Sequence, residues 1–185
     1  MIRMAIPADG ERLAAIYAPA VTDRATSFEL TAPDASEMAR RVSTLTARTP
    51  WLVLEEDGRV LGYAYASPHR DRPAYQWSVE VSAYIDASAQ RGGHGRALYS
   101  ALFDLLIAQN FTNAYAGITL PNPASVGFHK AMGFEEIGVY HRSADGAFIT
   151  TAEQHPVGHY GGDHAAVPRD RHHVLQEHQV GFLAA

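Results

Sequence analysis

The sequence contains no cysteine, which excludes disulfide bonds, thiolate metal sites and a cysteine nucleophile. Lysine is nearly absent as well: Lys130 stands alone beside fourteen arginines, so a lysine-dependent mechanism has no second candidate. No apolar run approaches the roughly 18 residues of a membrane span, and the first residues carry no apolar signal-peptide core. We therefore expect a cytoplasmic protein without a membrane partner.

Charge and composition further narrow the possible classes of protein and partner. The 185 residues are 46% hydrophobic, enough for one domain with an apolar core. The formal net charge of -5 argues against a nucleic-acid partner, because such proteins usually carry a basic stripe. Local basic clusters remain able to bind an anionic ligand.

Hydrophobic periodicity predicts the order β-α-α-β-β-β-α-β-α-β. The clearest local signal is the hairpin around Asp57-Gly58, which lies between two apolar runs. Strands that alternate with helices, together with this antiparallel centre, predict a mixed α/β fold.

A glycine-rich loop, Gln90-Arg91-Gly92-Gly93-His94-Gly95, stands between a predicted strand and a long predicted helix. One interpretation is a connection that needs a positive φ angle. The other is a loop whose backbone N–H groups hold a phosphate at the helix N-terminus. The motifs of a Walker loop and of a dinucleotide fingerprint are both absent.

This loop, the following helix and strand, and the segment L-P-N-P-A-S-V-G-F-H-K-A-M-G-F resemble the acetyl-CoA-binding core of the GNAT N-acetyltransferases. A narrower resemblance, strongest over residues 50–134, is to the phosphinothricin and methionine sulfoximine acetyltransferase branch. It rests on P-W-L-V, R-P-A-Y-Q-W-S-V-E and Q-R-G-G-H-G-R-A-L-Y. It implies a GNAT fold of the α/β (α+β) class: a mixed central sheet with a splayed strand pair and helices on both faces.

The resemblance also implies two catalytic residues. Glu80 would be the general base that takes a proton from the acceptor amine, directly or through a water. Without the resemblance, Glu80 is a strand glutamate that faces solvent or pairs with an arginine. His129 stands where many family members carry a tyrosine that donates to the departing CoA thiolate, and imidazole suits that role. Its alternative is a histidine on a helix surface.

Binding residues follow from the same matches. Residues implied to contact acetyl-CoA, the cosubstrate, are Ala83, Tyr84, Ile85, Arg91, Gly92, Gly93, His94, Gly95, Arg96 and Asn122. Positions that match the acceptor site of the branch are Phe28, Arg72 and Tyr75. An arginine suits the carboxylate of an amino-acid acceptor. Arg70 and Arg72 could share one face of an extended loop, or that loop is simply solvated.

The resemblance ends at Arg142. Residues 1–142 are expected to form the acetyltransferase domain, and residues 143–185 an atypical tail with six of the ten histidines. The tail is a real extension, disordered or wrapped on a partner, or the product of a shifted reading frame. Its histidines lack metal-ligand spacing, so no metal is expected. Either origin leaves the sheet short of its usual last strand, with an unpaired edge.

The leading hypothesis is acetyl-CoA-dependent N-acetylation of a small amino-acid-like amine such as phosphinothricin, methionine sulfone or methionine sulfoximine. A second enzymatic hypothesis is acetylation of another amine or of a peptide N-terminus. The non-enzymatic alternative is a degenerate domain that only binds acyl-CoA or a partner. The resemblance also implies a homodimer.

Overall fold

The computed structural model describes residues 1–23, 26, 27, 29–143 and 147–154, with the backbone alone from residue 140 onward. None of the helices in this part of the chain is long and apolar enough to cross a membrane. Phe28 and residues 155–185 lie outside the described residues.

The described residues form four helices and seven strands. The helices are α1 Gly10–Thr22, α2 Ala35–Leu45, α3 His94–Ala108 and α4 Pro123–Ala131. The strands are β1 Ile2–Met4, β2 Trp51–Glu56, β3 Arg59–Pro68, β4 Ser78–Ile85, β5 Asn113–Leu120, β6 Glu135–Ser143 and β7 Ala147–Gln154. The predicted order is confirmed as far as β6.

All seven strands form one sheet in the order β1-β2-β3-β4-β5-β7-β6. The β4–β5 pair is parallel and the other neighbours are antiparallel. The β4–β5 ladder holds three residue pairs and ends where Glu80 faces Tyr115, although both strands continue for five more residues. The predicted mixed sheet with a splayed strand pair is therefore confirmed.

Helices cover both faces of the sheet because its strands are apolar on alternating sides. On β3, Tyr63 points into the core under α1 and α2, where Val42 is fully buried. Its neighbour Ala64 points the other way, into the core under α3 that contains Leu102. Burial of such a leucine contributes about 1.5–3 kcal/mol to folding.

The expectation that the sheet lacks its last strand is wrong. β7 lies between β5 and β6 and pairs with both, so that Thr150 faces Ile118 on one side and Val139 on the other. The β-branched run Ile149-Thr150-Thr151 favours a strand. Because the segment that follows is rich in histidine, the sequence did not predict this strand.

A small ion network joins the start of the chain to the sheet. Asp9 immediately precedes α1, yet its side chain does not cap that helix. Its carboxylate instead accepts hydrogen bonds from the guanidinium of Arg3 on β1 (2.8 Å) and from the N–H of Ile6 (2.8 Å). Arg3 also binds Glu55 on β2 (2.8 Å). The Arg3 hydrogen bond lowers the pKa of the buried Asp9 carboxyl.

We predict that Asp9→Asn lowers the free energy of unfolding at pH 7 by about 1.5–3 kcal/mol, because charged hydrogen bonds to Arg3 are lost. A carboxyl whose pKa is lowered by folding stabilises above its unfolded pKa, about 3.9, and loses that contribution as pH falls through the folded value. Denaturant unfolding should therefore show the wild type approaching the variant below about pH 4. Asp104→Asn, at an exposed position of α3, is the matched control and should change little. If Asp9→Asn lowered the free energy of unfolding equally at pH 3 and pH 7, the stabilisation would not come from the ionised carboxylate.

Candidate functional site

The cleft opens where β4 and β5 separate. A cavity of about 260 Å³ lies between the two strands. Its wall is formed by β4 from Val81 onward, by residues 117–119 of β5, by the start of α4 and by the C-terminal half of α1. Glu80 stands at the point of separation, so the cleft begins directly beside it.

The direction of the backbone groups on β4 follows from its pairing with β3. The N–H of His69 donates to the carbonyl of Ser78 (3.3 Å), and the N–H of Asp86 donates to the carbonyl of Leu61 (2.8 Å). Ser78 and Asp86 therefore turn their polar groups toward β3. Because these groups alternate along a strand, the even-numbered residues of β4 face β3 and the odd-numbered ones face β5.

Consequently, beyond Glu80 the N–H and C=O groups of Ala83 and Ile85 point into the cleft, where the described ladder gives them no partner on β5. An extended ligand can pair with such an edge as an added strand would. Tyr84 differs from its neighbours. Its backbone faces β3, and its ring packs edge-on against Tyr17 with the ring centroids 4.8 Å apart. Its side chain still contributes to the cavity wall.

The glycine-rich loop lies at one end of this cleft, since Gln90 is part of the cavity wall. Gly93 has a φ of 78° and immediately precedes α3, so the connection does need the left-handed region. The first N–H groups of α3 have no acceptor within the helix, and these are the donors that the second interpretation requires. Arg91 and Arg96 are exposed beside them. The two interpretations are therefore compatible.

An ion pair outside the predicted set holds the entrance to this loop. Asp86 follows β4 and accepts a hydrogen bond from the N–H of Ser88 (2.8 Å). It also binds the guanidinium of Arg12 on α1, whose Nε donates to the carbonyl of Val60 (2.8 Å). The Ser88 hydroxyl also donates to Asp86, and this bond, followed by those from Arg12 and from the Ser88 N–H, holds the pKa of Asp86 well below its usual range. The Asp-x-Ser turn was the only local signal for this arrangement.

Glu80 is more than half exposed, and its partner is a histidine. Oε1 of Glu80 lies 3.2 Å from Nδ1 of His69. The imidazole stacks on the ring of Tyr115 with the ring centroids 4.2 Å apart. The ring of Tyr75 packs against the imidazole in a T-shaped arrangement with the centroids 5.7 Å apart. The structure thus places Tyr75 against the histidine that contacts Glu80. His69 and Tyr115 were missed, because nothing in the local sequence connects them to Glu80.

His129 is buried rather than exposed on a helix surface. Its Nδ1 lies 2.8 Å from the carbonyl oxygen of Ser125, which can only accept, so Nδ1 carries the hydrogen. Nε2 lies 3.1 Å from the hydroxyl of Tyr99 and therefore accepts its hydrogen bond in the neutral ring. Burial lowers the pKa of His129, and this favours the neutral form. His129 and Tyr99 both line the cavity.

The remaining predicted residues occupy different surroundings. Asn122 lines the cavity and caps α4, its Oδ1 accepting from the N–H of Ser125 (3.1 Å). Arg70 and Arg72 are both exposed in the loop before Tyr75, and within the described residues neither has an ion-pair partner.

Comparison with known proteins agrees with this geometry. The chain is 42% identical over 107 residues to a phosphinothricin N-acetyltransferase of Streptomyces coelicolor. The match covers 50% of this chain and 63% of that relative, so the chain spans less than two thirds of the relative's length. It is 34% identical over 137 residues to an L-methionine sulfoximine/L-methionine sulfone acetyltransferase of Salmonella typhimurium, covering 72% of this chain and 78% of that relative.

Among solved structures, a GNAT superfamily phosphinothricin acetyltransferase from Sinorhizobium meliloti, in complex with AcCoA, superimposes with a TM-score of 0.78 at 35% identity. The superposition covers 84% of this chain and 87% of that one. Residues 2–145 match the acetyltransferase (GNAT) domain family. The chain therefore belongs to the GNAT family of N-acetyltransferases.

Proposed function

We propose that the protein transfers the acetyl group of acetyl-CoA to the amine of a small amino-acid-like acceptor of the phosphinothricin, methionine sulfone or methionine sulfoximine type. The observation that carries the proposal is the cleft that opens at Glu80, with unpaired backbone groups along one wall and a helix N-terminus at its end. The names of the relatives support the acceptor class.

Acetyl-CoA fits the cleft in one direction. Its pyrophosphate would lie at the N-terminus of α3, on the N–H groups of Gly92–Gly95, with Arg91 and Arg96 adding positive charge. The extended pantetheine arm would pair with the backbone of Ala83 and Ile85. Asn122 lines the opposite wall.

In the reaction, the acceptor must lose a proton before its nitrogen can attack the thioester carbonyl. Glu80 supplies the base for this step, directly or through an intermediary, at the end of the cleft remote from the pyrophosphate loop. A backbone N–H of β4 that faces the gap can stabilise the negative charge on the carbonyl oxygen, as in an oxyanion hole. The new C–N bond then displaces CoA as its thiolate.

His129 belongs to the leaving-group end of this scheme. Because Nδ1 donates to Ser125 and Nε2 accepts from Tyr99, the neutral ring has no proton to donate at Nε2. It can serve as an acid only after protonation, which its lowered pKa makes rare at pH 7. We therefore assign it mainly to holding the Tyr99 hydroxyl in the cavity wall, while the thiolate departs largely unprotonated.

Recognition of the acceptor is assigned to the loop that carries Arg72 and Tyr75, together with Phe28. An exposed pair of arginines in an acidic protein suits an anionic ligand, and a guanidinium binds a carboxylate through two parallel hydrogen bonds. An acceptor with a carboxylate close to its amine meets both requirements.

Two further assignments accompany this function. A cytoplasmic location is proposed from the lack of cysteine in the sequence. A homodimer is proposed from the family resemblance and from the exposed ring of Trp77, which a second copy could bury.

The proposed function is tested by release of CoA thiol from acetyl-CoA with a panel of amines. We expect turnover with phosphinothricin and methionine sulfone and little with polyamines or peptides that lack a nearby carboxylate. Faster turnover of a peptide N-terminus would favour the second enzymatic hypothesis. Binding of acetyl-CoA without turnover of any amine would favour the non-catalytic domain.

The cofactor loop is tested at Gly93, where a side chain meets no other atom within 4 Å. Asp and Asn both tolerate the left-handed backbone, so the two substitutions differ chiefly in charge. We predict that Gly93→Asp raises the Kd for acetyl-CoA at least about tenfold, because it places a negative charge beside the pyrophosphate. Gly93→Asn should raise it less than about threefold. Equal affinities of the two variants for acetyl-CoA in calorimetry would show that the pyrophosphate does not bind at this loop.

The base is tested by Glu80→Gln, which keeps the shape of the side chain and removes its charge. Turnover at pH 7 should fall by about 10²–10⁴-fold, the usual contribution of a general base. Part of the loss should be recovered at high pH, where the acceptor is already a free amine. Affinity for acetyl-CoA is the control and should not change. Full activity of the variant at pH 7 would show that the base is elsewhere.

Recognition of the carboxylate is tested by Arg72→Ala. The KM for methionine sulfone should rise roughly tenfold or more, because a charged hydrogen-bonded pair is lost. The decarboxylated amine should be a poor acceptor for the wild type and should respond little to the substitution. Arg70→Ala is the comparison for its exposed neighbour and should have the smaller effect. Equal rates of the two acceptors in the wild type would show that the carboxylate is not recognised.

A further inference from the structure

A histidine that the family resemblance did not single out lies against the proposed base. His69 is in the loop after β3, and its side chain is 15% exposed, whereas that of Glu80 is 54% exposed. The stack on Tyr115 and the edge contact with Tyr75 fix the plane of the imidazole. The ring is therefore held from two sides while one nitrogen meets the carboxylate.

The position of His69 follows from the strand register. Ser67 on β3 faces Glu80 on β4, so the side chain two residues further along the chain lies on the same face of the sheet. Ser82, two residues after Glu80, is on that face as well and lines the cavity. The Glu80–His69 pair thus stands at the end of the cleft where the acceptor amine is proposed to bind.

The hydrogen bond defines what each nitrogen of His69 can do. An ionised carboxylate only accepts, so Nδ1 of His69 carries the hydrogen that Glu80 binds. In the neutral ring the lone pair is then on Nε2, for which the described residues provide no hydrogen-bond partner. A carboxylate on Nδ1 also stabilises the imidazolium that forms when Nε2 takes a proton.

We propose that His69 is the intermediary through which Glu80 acts, with Nε2 receiving the proton of the acceptor ammonium. This inference rests on the proposed function. The N–H bond of the ammonium breaks, its electron pair stays on nitrogen, and a new N–H bond forms at Nε2. Glu80 remains ionised and balances the imidazolium charge.

The remaining protons are accounted for as follows. The amine attacks the thioester carbonyl, and the C–S bond breaks with its electron pair leaving on the CoA sulfur. The second proton of the attacking nitrogen ends on that thiolate. The imidazolium releases the first proton to solvent, to which the exposed Glu80 gives access, and the net products are an amide, a thiol and one proton.

The charged and titratable groups around His69 are consistent with this role. Glu80 faces it from β4, Tyr115 from β5 and Tyr75 from the short turn before β4. Arg70, the next residue in its own loop, is exposed. Among these groups, only the carboxylate of Glu80 forms a hydrogen bond with the ring.

Two substitutions separate proton transfer from simple positioning. In His69→Asn, the amide nitrogen can take the place of Nδ1 and still donate to Glu80, but no group remains to accept a proton. In His69→Phe, the ring that stacks on Tyr115 is kept and both nitrogens are lost. If His69 only positions Glu80, the Asn variant should keep a higher kcat than the Phe variant.

We expect both variants to lose about 10–10³-fold in kcat at pH 7, with the Asn variant within about threefold of the Phe variant. The loss should shrink to within about threefold near pH 9.5, where the acceptor is mostly free amine. Combining His69→Asn with Glu80→Gln should cost little more than the worse single substitution, because residues that act as a unit are not additive. Acetyl-CoA affinity and thermal unfolding report that each variant is folded.

A His69→Asn variant that keeps more than half of the wild-type kcat at pH 7 would overturn the inference, and so would multiplicative losses in the double variant. Either result leaves the proposed function standing, because the wild type still turns over. Absence of thiol release by the wild type with every amine would instead overturn the proposed function and this inference together.

Discussion

The short ladder between β4 and β5 is the constraint on which the site depends. Three residue pairs hold the strands together, and past Glu80 they separate while β4 stays paired to β3 on its other edge. The separation creates the cavity and directs the backbone of Ala83 and Ile85 into it. A ligand that pairs with these groups takes the place of the partner that β5 does not provide.

The two ends of the cleft are built differently. In the proposed complex, the donor end uses the backbone: the left-handed Gly93 precedes α3, whose first N–H groups have no acceptor within the helix. The Arg12–Asp86 pair supports this end by joining α1 to the residue that leads into the loop. At the acceptor end, recognition is by side chains, among them Glu80. Side chains can be exchanged without changing the sheet, so the acceptor can vary within one fold.

The two histidines of the site have different surroundings. His129 is buried among aromatic rings, where desolvation disfavours its charged form, and its hydrogen bonds to Ser125 and Tyr99 use both nitrogens. His69 has the carboxylate of Glu80 on one nitrogen, and the described residues provide no hydrogen-bond partner for the other. The neutral ring therefore suits a structural part at the leaving-group end, and the carboxylate-bound ring suits proton uptake at the acceptor end.

The sequence by itself determined the features that depend on near neighbours. The order of elements as far as β6, the hairpin and the glycine loop were all readable, since turn chemistry and hydrophobic period act over a few residues. Motif resemblance located Glu80 on its strand. The partner of Glu80 was decided by tertiary structure, because His69 is 11 positions away and reaches it only through the β3–β4 register. Arg12 and Asp86 are 74 positions apart, and β7 enters the sheet between two strands that precede it in the chain. Such pairings depend on which strands become neighbours, and the local hydrophobic periodicity does not specify this.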